Sequence, residues 1–144
     1  MVAQEHTMLF EIPKGVEILK EFHFDYASIY VRNDNIVQVN TGENTFYTIV
    51  ETLEVHNKIN ELTNCEQKLI LHVTGKYASV DADTRKFVAS ENGLRYVIAQ
   101  AFVLHSMAQR MIANFFMKID KPKKPTKFFD TQHEAEKWLN TFNK

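Results

Sequence analysis

Two stretches, Lys68-Leu69-Ile70-Leu71-His72-Val73 and Tyr96 to Val103, are nearly continuous apolar runs of strand length, and they constrain the fold more than any other feature of the chain. A strand that is apolar at successive positions is covered on both faces, which is the situation of strands in a parallel sheet with helices on either side. The intervening and following residues supply those helices. Asp81 caps a short helix that runs to about Ser90, and Asn92-Gly93 offers a left-handed stop. Ser106-Met107-Ala108-Gln109 is a capping-box pattern. It opens a helix whose buried face is read as Ala108, Met111, Ile112, Phe115 and Ile119, with Arg110, Asn114 and Lys118 on the other side. Lys127-Phe128-Phe129 reads as a brief strand, and Thr131 to Glu134 as a second capping box. Ala135, Trp138, Leu139 and Phe142 then repeat the i, i+3, i+4, i+7 spacing of a last amphipathic helix.

Upstream, alternation from Phe24 to Arg32, turn residues Asn33-Asp34, and a second run at Ile36, Val37 and Val39 form a hairpin. Thr41 to Thr45 breaks that strand and offers caps for a helix ending near Asn64, its buried face read as Phe46, Ile49, Val50 and Leu53. Residues 1–20, broken by Pro13 and Gly15, read as a loosely ordered arm or an edge strand, and residues 21–144 as one domain. The expected architecture is α/β, with a mixed, mostly parallel sheet of four to five strands and about four helices.

Composition narrows function chiefly by exclusion. A chain of 144 residues buries roughly 68–70% of its unfolded surface and needs no metal or disulfide to fold. Its one Cys excludes an internal disulfide and a Cys-rich zinc site. Its four glycines, Gly15, Gly42, Gly75 and Gly93, are isolated, so neither G-x-G-x-x-G nor a G-x-x-x-x-G-K phosphate loop exists. The six histidines form no H-E-x-x-H motif, and His72, within an apolar strand, reads as a hydrogen-bonded core residue. Neither a cofactor nor a metal is expected, and no catalytic residues are assigned. His105-Ser106 adjacency does not supply triad geometry, and Ser106 already has a capping role. The opening residues lack the basic and apolar regions of a secretory signal, and Gln100, His105, Gln109 and Arg110 interrupt the most apolar stretch, so a soluble, cytoplasmic protein with no transmembrane segment is expected. The formal net charge of −1 divides into −7 over residues 1–84 and +6 over residues 85–144, which suits an acidic partner or a contact between copies, a homodimer included, better than nucleic acid.

The element order, with Arg85 in the short helix, the run Ala99-Gln100-Ala101-Phe102-Val103 leading into Ser106 to Phe116, and the closing segment with Phe129, Glu134, Ala135, Trp138 and Leu139, resembles the small bacterial STAS-like (SpoIIAA-like) proteins. The resemblance spans roughly residues 24–142 and implies a non-enzymatic regulatory or binding domain that engages a protein partner or a small ligand. In one branch of that family a serine at the start of the helix after the central strand is phosphorylated. Ser79 is the candidate here, although the stretch Lys76 to Thr84 lacks that branch's Asp-Ser-Ser-Gly-type signature.

The strand-end edge carrying Thr41, Asn44, Ser79, Asp81 and Arg85 is therefore the leading candidate for a partner or an anionic small ligand, with capping groups holding the anion and Arg85 neutralising it. The structural alternative is that Thr41, Thr45, Ser79 and Asp81 only cap helices. A basic patch at Lys121, Lys123, Lys124 and Lys127 is the second candidate, and the alternative there is a solvated loop. The second functional reading is a carrier of a lipid or other hydrophobic ligand that touches membranes through the lysine loop. The 11 Phe and 5 Met are compatible with it, and an internal cavity would separate it from a packed core.

Overall fold

The computed structural model describes residues 12–143. Among these, strands β1 (Ile18–His23), β2 (Ala27–Arg32), β3 (Ile36–Thr41), β5 (Lys68–Val73), β7 (Val97–Val103) and β8 (Thr126–Phe129) form one sheet in the order β1-β2-β3-β5-β7-β8. The pairs from β1 to β3 are antiparallel and those from β3 to β8 are parallel. Two short strands, β4 (Phe46–Tyr47) and β6 (Ser79–Val80), pair in parallel beyond the carboxyl ends of β3 and β5. The helices are α1 (Ile49–Thr63), α2 (Ala82–Ala89), α3 (Met107–Phe115), continued by a π-helical turn at Phe116–Asp120, and α4 (Gln132–Asn140). The sheet has six strands rather than four to five, because Ile18–His23 joins the expected hairpin, the two central strands and the brief strand at Thr126–Phe129 as an edge strand. Expectations about residues 1–11 lie outside the described residues.

The two faces of the sheet are covered differently. On one face α4 lies close over β5, β7 and β8, because Ala99, Ala101 and Ala135 are small enough to let Leu139 settle among Leu69, Leu71 and Val103. Arg32 fastens this layer to β2. Its guanidinium, only 1% exposed, forks onto Asp34 (3.1 and 2.6 Å) and reaches Gln38 Oε1 (2.9 Å) and Glu136 Oε2 of α4 (2.6 Å). On the other face α1, α2 and α3 form a layer in which Val55, Ile59 and Leu62 of α1 meet Ile29, Val31, Val37 and Val39.

The expected face of α1 is corrected. Phe46 belongs to β4 and is exposed, as are Val50 and Leu53. The helix is capped not within Thr41–Thr45 but by Thr48, whose hydroxyl accepts from Val50 N while Glu51 reaches back to Thr48 N (2.8 Å), and this start point turns Val55 and Ile59 inward. The face of α3 is corrected likewise. Gln109, Ala113 and Phe116 are buried, whereas Met111, Phe115 and Ile119 are exposed. Gln109 sets that rotation by donating to the carbonyls of Gly75 (3.0 Å) and Ala78 (3.1 Å) and accepting from His105 N (2.8 Å). Asn92-Gly93 gives no left-handed stop, because α2 ends at an extended Ser90. A Cβ at Gly93 would strike the carbonyl of Phe87, so that glycine serves a close backbone approach.

Candidate functional site

The β-α-β connections bring the N-termini of all four described helices to the carboxyl edge of the parallel strands. Thr41, Asn44, Ser79 and Asp81 gather there, as the sequence implies, and each is hydrogen-bonded to a neighbouring loop or helix-start residue. Thr41 Oγ1 accepts from Gly75 N (2.8 Å), Asn44 N donates to the Lys76 carbonyl (2.9 Å), and Ser79 N donates to the Thr45 carbonyl (2.9 Å). Asp81 caps α2 by accepting from Thr84 N (2.8 Å), and that hydrogen bond holds its carboxyl below the ordinary carboxylate range. Glu51 is lowered in the same way by the backbone N–H of Thr48. The positive ends of α1 and α2 thus already face carboxylates of the chain itself. Arg85 points elsewhere, with its Nε 3.2 Å from Asp120 Oδ2 and its guanidinium 4.9 Å from the Phe115 ring centroid.

The lysine cluster is also divided by the fold. Lys124 is drawn in to donate to the carbonyls of Leu94 (3.0 Å) and Val97 (2.7 Å). Lys127 lies 5.6 Å over Phe129, whose ring packs on Trp138 of α4, and so belongs to the opposite face from Phe128. Lys121 and Lys123 stay exposed at the end of the π-helical turn.

A cavity of about 230 Å³ lies between the sheet and the α1–α3 layer. Its floor is built by strand register. Val39, His72, Phe102 and Phe128 are partners on four consecutive strands, and Ile70, Gln100 and Thr126 form the next row. The rings of His72 and Phe102 stack at 4.2 Å and 7°, and those of Phe102 and Phe128 at 5.1 Å and 23°, while Phe116 meets both phenylalanines edge-on. The roof comes from helical spacing. Thr52, Val55, His56 and Ile59 of α1 and Gln109, Ile112, Ala113 and Phe116 across α3 and the π turn each recur at i, i+3, i+4 and i+7.

His72 sits in mid-sheet yet keeps accessible surface, because its ring faces this cavity rather than packed side chains. Desolvation pushes its pKa down to about 4, a hydrogen bond with Gln100 opposing that in part. Gln100 spends its amide N–H groups on Thr126 Oγ1 (3.0 Å) and the Val88 carbonyl (3.5 Å), which leaves its carbonyl oxygen for the imidazole N–H. His56, held edge-on to Phe87 at 4.9 Å, is also pushed down by burial. Both rings are neutral near pH 7, so the cavity presents aromatic and aliphatic surface with a few fixed polar atoms. Ser79 and Thr41 border its carboxyl-edge end.

The apolar runs carried a signal of this. Along β5 and β7, Leu69, Leu71, Val73, Ala99, Ala101 and Val103 face α4, whereas the alternate positions are Ile70, His72, Gln100 and Phe102. A face of histidine, glutamine and phenylalanine within otherwise aliphatic strands marks a surface that faces something other than a packed helix. Among the described residues no group of three or more His, Cys, Asp or Glu is arranged to hold a metal, and no helix is long and apolar enough to cross a membrane. Cys65 is exposed just after α1.

Fold and site together define an α/β domain closely packed on one face of its sheet and hollow on the other. Residues 29–143 match the family model described as "Domain of unknown function (DUF7793)", and the chain belongs to that family. The match runs from within β2 past the end of α4 and so includes all the residues that line the cavity except Ala27. No curated protein and no solved structure matches the chain.

Proposed function

We propose that this domain is a binding module on a STAS-like plan whose ligand is a small, uncharged, largely apolar molecule held between the sheet and the α1–α3 layer. The observation that carries the reading is the cavity itself. An apolar cavity of about 150 Å³ is enough to admit a benzene ring, so about 230 Å³ suits a one- or two-ring compound or a short alkyl chain better than a full-length acyl chain. The stacked row His72-Phe102-Phe128 favours a flat ring against the floor. The charged groups that border the cavity are already engaged within the chain, Glu51 with Thr48, Lys68 with Glu66 and Arg85 with Asp120, so a charged ligand would shed its hydration without a free partner, which favours a neutral one. The anionic-ligand reading of the strand edge has less support, because Asp81 and Glu51 answer the helix dipoles and Arg85 is paired with Asp120.

Titration with the neutral fluorophore N-phenyl-1-naphthylamine, with native mass spectrometry of the freshly purified protein, tests the proposal. Saturable binding is expected in the wild type. Val88→Phe, which adds a ring where a half-buried valine of α2 lines the cavity, is expected to abolish it while raising stability by about 0.5–2 kcal/mol. Binding unaffected by Val88→Phe, or a thermal shift with phosphate or nucleotides that Arg85→Gln removes, refutes the reading.

A further inference from the structure

We propose that α3 and its π-helical extension form a docking ridge for an anionic lipid surface. The docking needs no ligand in the cavity and stands apart from that reading. Met107, Met111 and Phe115 follow one another at i, i+4 and i+8 and are 73%, 67% and 49% exposed, and Ile119 continues the row at 62%. An α-helical i+4 step drifts about 40° round the axis, which would carry a long row off its face. The wider π turn at Phe116–Asp120 turns less per residue and returns Ile119 to the row. Gln109 and Phe116, anchored beneath, hold the ridge with its apolar side outward. Four large apolar side chains on one side of a roughly 18 Å segment make a surface that ordinary solvent-facing helices do not show.

Charge selects the occupant. The exposed charges along the ridge and just past it are Arg110, Lys118, Lys121 and Lys123, and the acid in the same segment, Asp120, is turned inward onto Arg85 with a side chain 3% exposed. Arg110 has Asp130 beside it, which leaves three lysines at the Ile119 end. Two such ridges brought together would set like charges against each other, which disfavours a second copy along this face. The ridge is convex, so it offers no groove to receive an acidic helix. Apolar side chains on one side with lysines at the flank suit insertion among acyl chains beneath anionic headgroups.

The test is co-sedimentation of the full chain with vesicles of phosphatidylcholine alone and with vesicles containing about one-third phosphatidylglycerol. Binding to the anionic vesicles only, weakening as salt rises, is expected. Met107→Ser and Met111→Ser are each expected to lower the partition coefficient about tenfold, through lost apolar insertion. Lys118→Gln is expected to lower it about fivefold and to leave the melting temperature unchanged, so a folding defect cannot imitate the result. Val88→Phe is expected to sediment as the wild type does, which separates failure of this inference from failure of the cavity reading. Absence of vesicle binding, equal binding to both vesicle types, undiminished binding of the Met107→Ser/Met111→Ser protein, or a light-scattering dimer that Met111→Ser dissociates would each overturn it.

Discussion

Arg32 is the residue whose loss should be felt most widely. Its guanidinium satisfies two carboxylates at once, Asp34 beside the hairpin turn and Glu136 on α4, whose side chains are only 21% and 11% exposed. Arg32→Met keeps much of the volume and removes the charge, leaving two partly buried carboxylates and Gln38 with no cation between them. Breaking a buried pair in this way costs about 3–5 kcal/mol, because the surviving charges stay desolvated. That is a large share of the roughly 5–15 kcal/mol by which a domain of this kind is stable. With a urea m-value of about 2 kcal/mol/M, the unfolding midpoint should fall by about 2 M. The companion variant Arg32→Met/Asp34→Asn/Glu136→Leu removes the orphaned charges as well and should regain most of the loss, since apolar replacement of a whole buried network is often neutral or better. Urea unfolding followed by Trp138 fluorescence and by circular dichroism measures both. A loss below about 1 kcal/mol in Arg32→Met, or no recovery in the triple variant, would show that the network is not the tether between β2 and α4.

Two further outcomes are expected. His72 has a folded-state pKa of about 4 against 6.5 for the free side chain, so the unfolded chain binds its proton first as pH falls; stability is fully present above about pH 6.5 and declines toward pH 4, by about 3 kcal/mol for this group. His56 is shifted in the same direction, and the sign is checked by urea midpoints across that range, which in His72→Phe should vary less with pH. Gly75→Ala would drive a Cβ into the carbonyls of Thr41 and Gly42 and disturb the Gly75 N–H bond to Thr41, so a loss of about 2 kcal/mol is expected; a melting temperature equal to the wild type's would mean that the two loops are not stitched as described.

The sequence alone determined the order of the helices and of the main strands from Ala27 onward, though not the short β4–β6 pair, because that order rests on local physics. Continuous apolarity over Lys68–Val73 and Val97–Val103 requires cover on both faces, and Asp81, Ser106 and Thr131 sit where free backbone N–H groups need acceptors. It also placed Thr41, Asn44, Ser79 and Asp81 at one edge, since parallel strands end on the same side. Tertiary structure alone decided the faces. A helix such as α3, apolar at Met107, Met111, Ile112, Phe115 and Phe116, has no unique buried side until a long-range contact selects one, and Gln109 reaching the Gly75 and Ala78 carbonyls makes that selection. The same holds for the cavity and for the lysines. Whether apolar side chains fill a space or only border it depends on how far apart α1 and α3 are held over the row from Val39 to Phe128, and neighbouring lysines part company when Lys124 turns inward and Lys127 falls on the opposite face of β8. Those separations are set by residues distant in the chain, so the pattern of apolar and charged positions could indicate a core and a basic loop but could not distinguish a filled core from a hollow one, or a single patch from a divided one.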